Sequence, residues 1–225
     1  MSNQGAPTTL RVGVSRMLIS LALLAIAGCG GGDRITQTRA VAPFDRLEIA
    51  DSVDVEVVPG DGREVRVYGG EDVLDRVETS SSGGVLRIDV RDRGIVIGPD
   101  PLGDVRVQVA ASELNAVRIA GSGDVELGDL AVPELELEIE GAGEVDASGA
   151  ADRLTATIRG AGDANLGDLA VRTATVVVHG AGDADVNVSE RLDVTVRGAA
   201  DVVYRGDPVV TQDIEGAGEV RREGP

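Results

Sequence analysis

The chain has 225 residues, a formal net charge of −18 and only 1% aromatic residues. A negative field of this size repels nucleic acid and anionic lipid surfaces, so neither is expected as a direct partner. With so few aromatic residues, the core must be built from Val, Leu, Ile and Ala, which suits a narrow stacked interior. The single cysteine excludes an internal disulfide framework and any metal site built on several cysteines.

Residues 1–28 have the pattern of a signal peptide. Two arginines precede an apolar run at 17–27, which is too short to span a bilayer. The only cysteine, Cys29, closes the sequence Ile-Ala-Gly-Cys, which resembles the lipobox of bacterial lipoproteins. The resemblance implies cleavage before Cys29 and acylation of both its sulfur and the new amino terminus. The alternative is a free or buried thiol after an ordinary cleavage site.

A lipidated Cys29 predicts a protein anchored in the cell envelope, because several acyl chains together give stable anchoring. The folded part would then lie in the periplasm or outside the cell. In a Gram-negative cell, glycine rather than aspartate after the cysteine indicates the outer membrane.

Residues 29–40 carry three glycines directly after Cys29 and are predicted to be a flexible tether. Residues 41–110 are predicted to be a β-rich cap, because their apolar residues alternate with polar ones. Strands are expected at 47–49, 53–57, 64–68, 85–90 and 105–109, two helical turns at 71–77 and a loop at 92–103.

Residues 111–225 repeat one short glycine–acid phrase, first seen as Gly121-Ser122-Gly123-Asp124. The phrase starts at residues 121, 141, 160, 180, 198 and 216, at intervals of 18–20 residues. Self-similarity at a fixed short period is typical of a solenoid, in which each repeat is one coil stacked on the last. The predicted fold is therefore all-β, a parallel β-helix of about five coils, with glycines at the tight corners.

Aligning the repeats predicts which side chains stack. The inward positions form columns of small aliphatic residues, such as Ile139, Ile158 and Val178. The outward column before the glycines places Glu140 beside Arg159, and Arg197 beside Glu215. The end of the chain is charged at 220–223, which would guard the last strand against addition of another strand.

The acidic column is the sharpest functional candidate. It consists of the acids that follow the corner glycines and those two residues further on: Asp124, Glu144, Asp163, Asp183, Asp201 and Glu219, with Glu126, Asp146 and Asp185. Carboxylates stacked about 4.8 Å apart could collect Ca²⁺. A calcium-binding roll, however, repeats its turn every nine residues. The simpler interpretation is that the acids solvate a tight corner; a basic or glycan ligand is the third alternative.

Catalytic signatures are weak. The only histidine, His179, lies in an outward position with no second histidine or cysteine, so solvated surface is the favoured interpretation. Carboxylate pairs of the glycosidase kind carry no signal where acids are so common. The scarcity of aromatic residues removes the usual sugar-stacking platforms.

Four features occur in one order along the chain: Cys29, VAPFDRLEI at 41–49, GGVLRI at 83–88, and the GSGDV and GAGD phrases. Together they resemble the head GIN domain family, described as auto-transporter adhesins, over residues 38–220. The resemblance implies a bacterial envelope protein with a right-handed β-helical fold and no established enzymatic activity. The GAADV phrase at 198–202 departs from the family's glycine pattern.

The sequence thus predicts a non-enzymatic envelope lipoprotein that acts as a binding or adhesion module. No catalytic residue, metal ligand or cofactor is predicted, and Cys29 is the single predicted modification site. The membrane is reached through the lipid anchor, and the ligand, protein or glycan, is left open. The alternatives are a calcium-dependent module and, third, an enzyme acting on polysaccharide.

Overall fold

The computed structural model describes residues 34–91 and 105–224, together with the backbone of Leu21–Leu24. The strands are β1 (Leu21–Leu24), β2 (Arg34–Ala40), β3 (Arg46–Asp51), β4 (Asp54–Val58), β5 (Asp61–Gly70), β6 (Val77–Ser82), β7 (Val85–Val90), β8 (Arg106–Ala111), β9 (Ala116–Gly121), β10 (Val125–Gly141), β11 (Glu144–Gly160), β12 (Asp163–Gly180), β13 (Ala184–Gly198), β14 (Asp201–Arg205), β15 (Val209–Gly216) and β16 (Glu219–Arg222). The described part contains one helix, the single turn α1 (Glu71–Leu74).

Strands β10 to β16 form the predicted parallel β-helix. Each of β10, β11, β12 and β13 makes one coil, and β14 to β16 complete the last, so that the five coils stack in parallel register. The register pairs Ile139 with Ile158 and Ile158 with Val178, and all three are at most 1% exposed. The prediction of an all-β solenoid with aliphatic inward columns is therefore confirmed.

The corner glycines have the expected structural cause. Gly160 has a φ of +133° and lies directly above Gly141 in the stack. A Cβ atom at this position would lie 2.2 Å from the carbonyl oxygen of Gly141, so only glycine fits. At the one departure from the phrase, Ala200 replaces the second glycine and is fully buried.

The stack begins earlier in the sequence than the repeat suggests. Strand β3 pairs in parallel with β9, and β4 with β10, so residues 46–58 form a coil directly against residues 116–127. In this coil Asp51 pairs with Gly121 and adopts a φ of 75°, the left-handed region that glycine usually occupies. The two paired segments lie on opposite sides of the domain boundary predicted at residue 110, and that division stays a prediction.

Strands β7 and β8 pair in parallel with β3 and β4 and so extend the stack by one more layer. The antiparallel strands complete the cap: β6 pairs with β7, β5 with β8 and β2 with β5. Strand β2 begins at Arg34, inside the segment predicted as a tether. Every residue from Arg34 to Ala40 is paired with β5, which makes this segment part of the sheet. Val77 belongs to β6 and pairs with Val90, so the helix predicted at 71–77 is limited to one turn.

A buried arginine connects this cap. Arg39 is 8% exposed; its guanidinium donates to the carbonyl oxygens of Val77 at 2.5 Å and Leu74 at 2.8 Å, and to Gln37. Burial lowers the pKa of Arg39, with Asp75 acting in the opposite direction. These bonds tie β2 to α1 and β6.

The cap and the last coil lie at opposite ends of one sheet, whose strand order is β1-β2-β5-β8-β4-β10-β11-β12-β13-β14-β16. Most of the predicted signal peptide, Cys29 and the loop predicted at 92–103 lie outside the described residues. None of the helices described is long and apolar enough to cross a bilayer.

Candidate functional site

Three aspartates of the acidic column, Asp163, Asp183 and Asp201, bind the backbone of the next coil. The N–H of Asp183 donates to Oδ1 of Asp163 at 2.8 Å, and the N–H of Asp201 donates to Oδ1 of Asp183 at 2.8 Å. The N–H of Glu219 donates in the same way to Asp201 at 3.0 Å. Each carboxylate thus satisfies a corner N–H that strand pairing leaves free. The aspartates are therefore part of the corner structure.

The side-chain length matters in this column. Glu144 has one methylene more than aspartate, and the N–H of Asp163 above it donates instead to the carbonyl oxygen of Gly143 at 3.2 Å. The carboxylate of Glu144 turns aside and accepts a hydrogen bond from Asn165. Aspartate is thus the residue whose carboxylate reaches the next corner.

The same bond identifies a member of the column that sequence reasoning missed. Asp54, in the coil formed by β3 and β4, accepts the N–H of Asp124 at 3.2 Å. The signal in the sequence is the similarity of DSVDVEV at 51–57 to GSGDVEL at 121–127, which the absence of both glycines conceals.

The described residues of this column form no cluster of metal ligands, and the calcium alternative stays a prediction. Across residues 34–91 and 105–224, no group of three or more His, Cys, Asp or Glu side chains is placed to hold a metal ion. Asp163, Asp183 and Asp201 each have an oxygen engaged by a backbone N–H, and the second acids lie on the next outward position.

The acids two residues beyond the first acid of each phrase line a groove, here called the acid groove. It lies on the short stretch of strand that follows each corner glycine. Glu126, Asp146, Asn165 and Asp185 lie in register along it. The groove has a volume of about 470 Å³, and Arg205 lies at its far end. Its wall is predominantly anionic, which favours a cationic or hydroxyl-rich ligand over an anionic one.

Asp185 has the most distinctive environment in the acid groove. Its Oδ2 forms an ion pair with Nη2 of Arg205 at 2.9 Å. Its Oδ1 is buried without a hydrogen-bond partner among the described residues. Burial raises the pKa of Asp185, although Arg205 acts against the rise. Arg205 reaches this position by lying across Gly167, where a Cβ atom would collide with the guanidinium.

The long face before the corners carries charge and threonine. Arg159 pairs with Glu138 and, at 3.5 Å, with Glu140; Arg197 pairs with Glu215 at 3.3 Å. Both predicted ion pairs are confirmed, and because they are exposed each contributes about 0–1 kcal/mol.

His179 is exposed on this face, in register between Arg159 and Arg197. Its position supports the interpretation as solvated surface. No serine, cysteine or carboxylate is described within hydrogen-bonding distance of it, so the described residues show no triad there.

The coils have a second turn, near Asp129 in β10 and Gly149 in β11, where the backbone φ is positive. A second, more apolar groove follows this turn. It has a volume of about 550 Å³ and is lined mainly by alanine and valine, including Ala131, Ala150 and Ala170 in register. Its rim carries Arg172, which pairs with Asp152 at 3.4 Å and Glu190 at 3.1 Å. Both grooves are shallow surface features of a filled solenoid.

Comparison with known proteins agrees with this architecture. The chain has a TM-score of 0.70 with a putative adhesin from Bacteroides fragilis, at 19% identity, covering 84% of this chain and 97% of that one. A putative adhesin from Parabacteroides distasonis gives 0.56 at 20% identity, covering 86% and 98%. A putative lipid binding protein from the same species gives 0.54 at 19% identity, covering 87% and 98%. At these identities the likeness shows the fold alone.

No curated protein matches the chain. The model of one family does match, over residues 43–208. This range covers the strands from β3 to β14, and only β15 and β16 of the stack lie beyond it. The chain belongs to the family described as "Putative auto-transporter adhesin, head GIN domain".

Proposed function

We propose that the protein is a lipid-anchored, non-enzymatic binding module of the cell envelope, in the manner of an adhesin. The observation that carries the proposal is the filled solenoid: its inward columns are packed with aliphatic side chains and its polar side chains point outward in regular, exposed columns. Such a molecule offers broad surfaces for contact. Its carboxylates are engaged by backbone N–H groups and arginines rather than gathered around a reacting centre.

The geometry of the first strands is compatible with an anchor at Cys29. Only residues 30–33 separate Cys29 from β2, a reach of at most about 14 Å. Strand β1 lies in the predicted signal peptide and pairs only with β2 among the described strands. Cleavage before Cys29 would therefore remove one edge strand and leave the solenoid and its cap complete.

The anchor is tested by metabolic labelling with a palmitate analogue. We expect the wild-type chain to incorporate the label and to partition with membranes, and the Cys29→Ser variant to do neither. An unlabelled wild-type chain would overturn the anchor.

The binding role is tested with beads coated with the chain and offered to envelope fragments. We expect saturable binding that free chain competes away. Release of reducing sugar from envelope polysaccharide by the purified chain would instead identify an enzyme, and binding that does not saturate would contradict the adhesin-like role.

A further inference from the structure

Among the described residues, no further coil covers the last one. β15 and β16 are the terminal strands of the stack, with no further neighbour among the described strands, and we call them the open end. The inward columns stop there without cover: Val194 is 3% exposed, whereas Gln212 directly beyond it is exposed. Val209, on the same strand, is 67% exposed and is the one large hydrophobic residue so exposed in the described part.

The two strands of the open end differ in their protection. Beside β16, Arg222 pairs with Asp207 at 3.1 Å, and Glu223 pairs with Arg205. These charges guard that edge, as the sequence predicts. Strand β15 carries less protection: between Val209 and Gly216 its charged residues are Asp213 and Glu215, both on the outward side, and Glu215 is paired with Arg197. A free edge with apolar residues on its inward side is a template for another strand.

We propose that β15 pairs with β15 of a second copy of this chain, antiparallel and centred on Gln212. In this register Val210 of each copy lies opposite Ile214 of the other, which extends the apolar interior across the junction. The two Gln212 amides face each other and can exchange hydrogen bonds. On the outward side Asp213 lies opposite Thr211, and Glu215 lies opposite Val209, so no two like charges are opposed.

The neighbouring registers fit less well. Centring on Asp213 places the two Asp213 carboxylates directly opposite each other. Centring on Thr211 places Val210 opposite Gln212 and Ile214 opposite Pro208, which has no N–H to donate. Registers shifted by one residue set inward side chains against outward ones. Self-complementarity is thus confined to one register, and this is why the partner is a second copy.

The pairing has a consequence that rests on the proposed function, because it depends on the anchor at Cys29. Eight strand-to-strand steps of about 4.8 Å separate β2 from β15, or about 38 Å. The two-fold pairing joins two such rods end to end, so the anchors lie about 80 Å apart at opposite ends. A dimer of this shape joins two facing membranes, which is homophilic adhesion.

Cross-linking tests the register. In the full chain carrying Cys29→Ser, Gln212→Cys introduces the only cysteine, and the pairing brings the two Cα atoms to about 4.5–5.5 Å, within the range of a disulfide. We expect spontaneous covalent dimers under mild oxidation. The matched control Thr211→Cys lies diagonally from its mate, beyond about 7 Å, and should stay monomeric. Equal cross-linking of both variants, or of neither, overturns the proposed register.

Two opposite charge substitutions at Val209, introduced into the Cys29→Ser chain, test the interface. Dimerisation is measured by sedimentation. Val209→Glu places two like-charge pairs across the junction, and we expect dimerisation to weaken about 2- to 30-fold. Val209→Arg faces Glu215 and should strengthen it. Residue 209 stacks on Arg191 within one copy. If the substitutions acted only through folding, Val209→Glu would therefore be the more stable variant and Val209→Arg the less stable one. A Cys29→Ser chain that sediments only as a monomer at all concentrations overturns the pairing.

Vesicles separate the pairing from the anchor. The acylated wild-type chain on neutral phosphatidylcholine vesicles should cluster them, measured by light scattering, and Val209→Glu should cluster them less. Clustering that is insensitive to Val209→Glu overturns the proposed interface. Dimers in solution without clustering overturn the bridging; palmitate labelling then shows whether the anchor has failed.

Discussion

Replacing Gly160 by alanine tests the explanation of the corners. The backbone there has a φ of +133°, a region that costs an L-residue about 1–3 kcal/mol. The new Cβ would lie 2.2 Å from the carbonyl oxygen of Gly141, and relieving this overlap costs about 1–3 kcal/mol more. The displaced oxygen also accepts the N–H of Ala161 at 2.8 Å, a bond whose net contribution is about 1 kcal/mol.

These contributions are not fully additive, and we expect a loss of about 3–5 kcal/mol in the free energy of unfolding. The measurement is urea unfolding followed by circular dichroism, with the slope compared between variants. Gly128→Ala is the matched control: its nearest non-neighbouring atom would be 3.5 Å from the new Cβ, an ordinary contact, so we expect a change within about 1 kcal/mol. Equal losses in the two variants would refute the corner explanation.

The remaining predictions concern single polar groups. Asp183→Ala removes the acceptor of the Asp201 N–H and should cost about 1 kcal/mol in urea unfolding, whereas Asp183→Asn keeps an acceptor and should cost less; equal losses would contradict the role of the carboxylate. Because burial raises the pKa of Asp185, the ionised group opposes folding above that pKa. Asp185→Asn should therefore melt above the wild type at pH 7 to 8, with the gain shrinking as the pH falls through that pKa; a gain that grows toward acid would contradict this. Arg39→Met leaves two buried carbonyl oxygens unpaired and should cost about 3 kcal/mol or more, against less than about 1 kcal/mol for the exposed Arg66→Met; similar values for both would show that the Arg39 bonds are unimportant.

The candidate sites were predictable only in part. The stacked acids, the outward His179 and the Glu140–Arg159 pair follow from counting residues between glycines, because every coil has nearly the same length. The acid groove does not follow from such counting. It depends on Arg205, which lies across Gly167 to reach Asp185. These three residues belong to three successive coils, and only the fold brings them together.

By itself the sequence determined the coil. A two-residue alternation and a glycine every 18–20 residues are local properties, and they are sufficient to specify which side chains point inward and where the chain turns. The tertiary structure decided what lies next to what. It placed residues 46–58 against residues 116–127 across 70 positions of sequence, although Asp51 stands where the neighbouring coil has Gly121. It also decided that the recurring aspartates bind backbone N–H groups. Whether a carboxylate reaches the next corner depends on the spacing of the coils, which no single repeat contains.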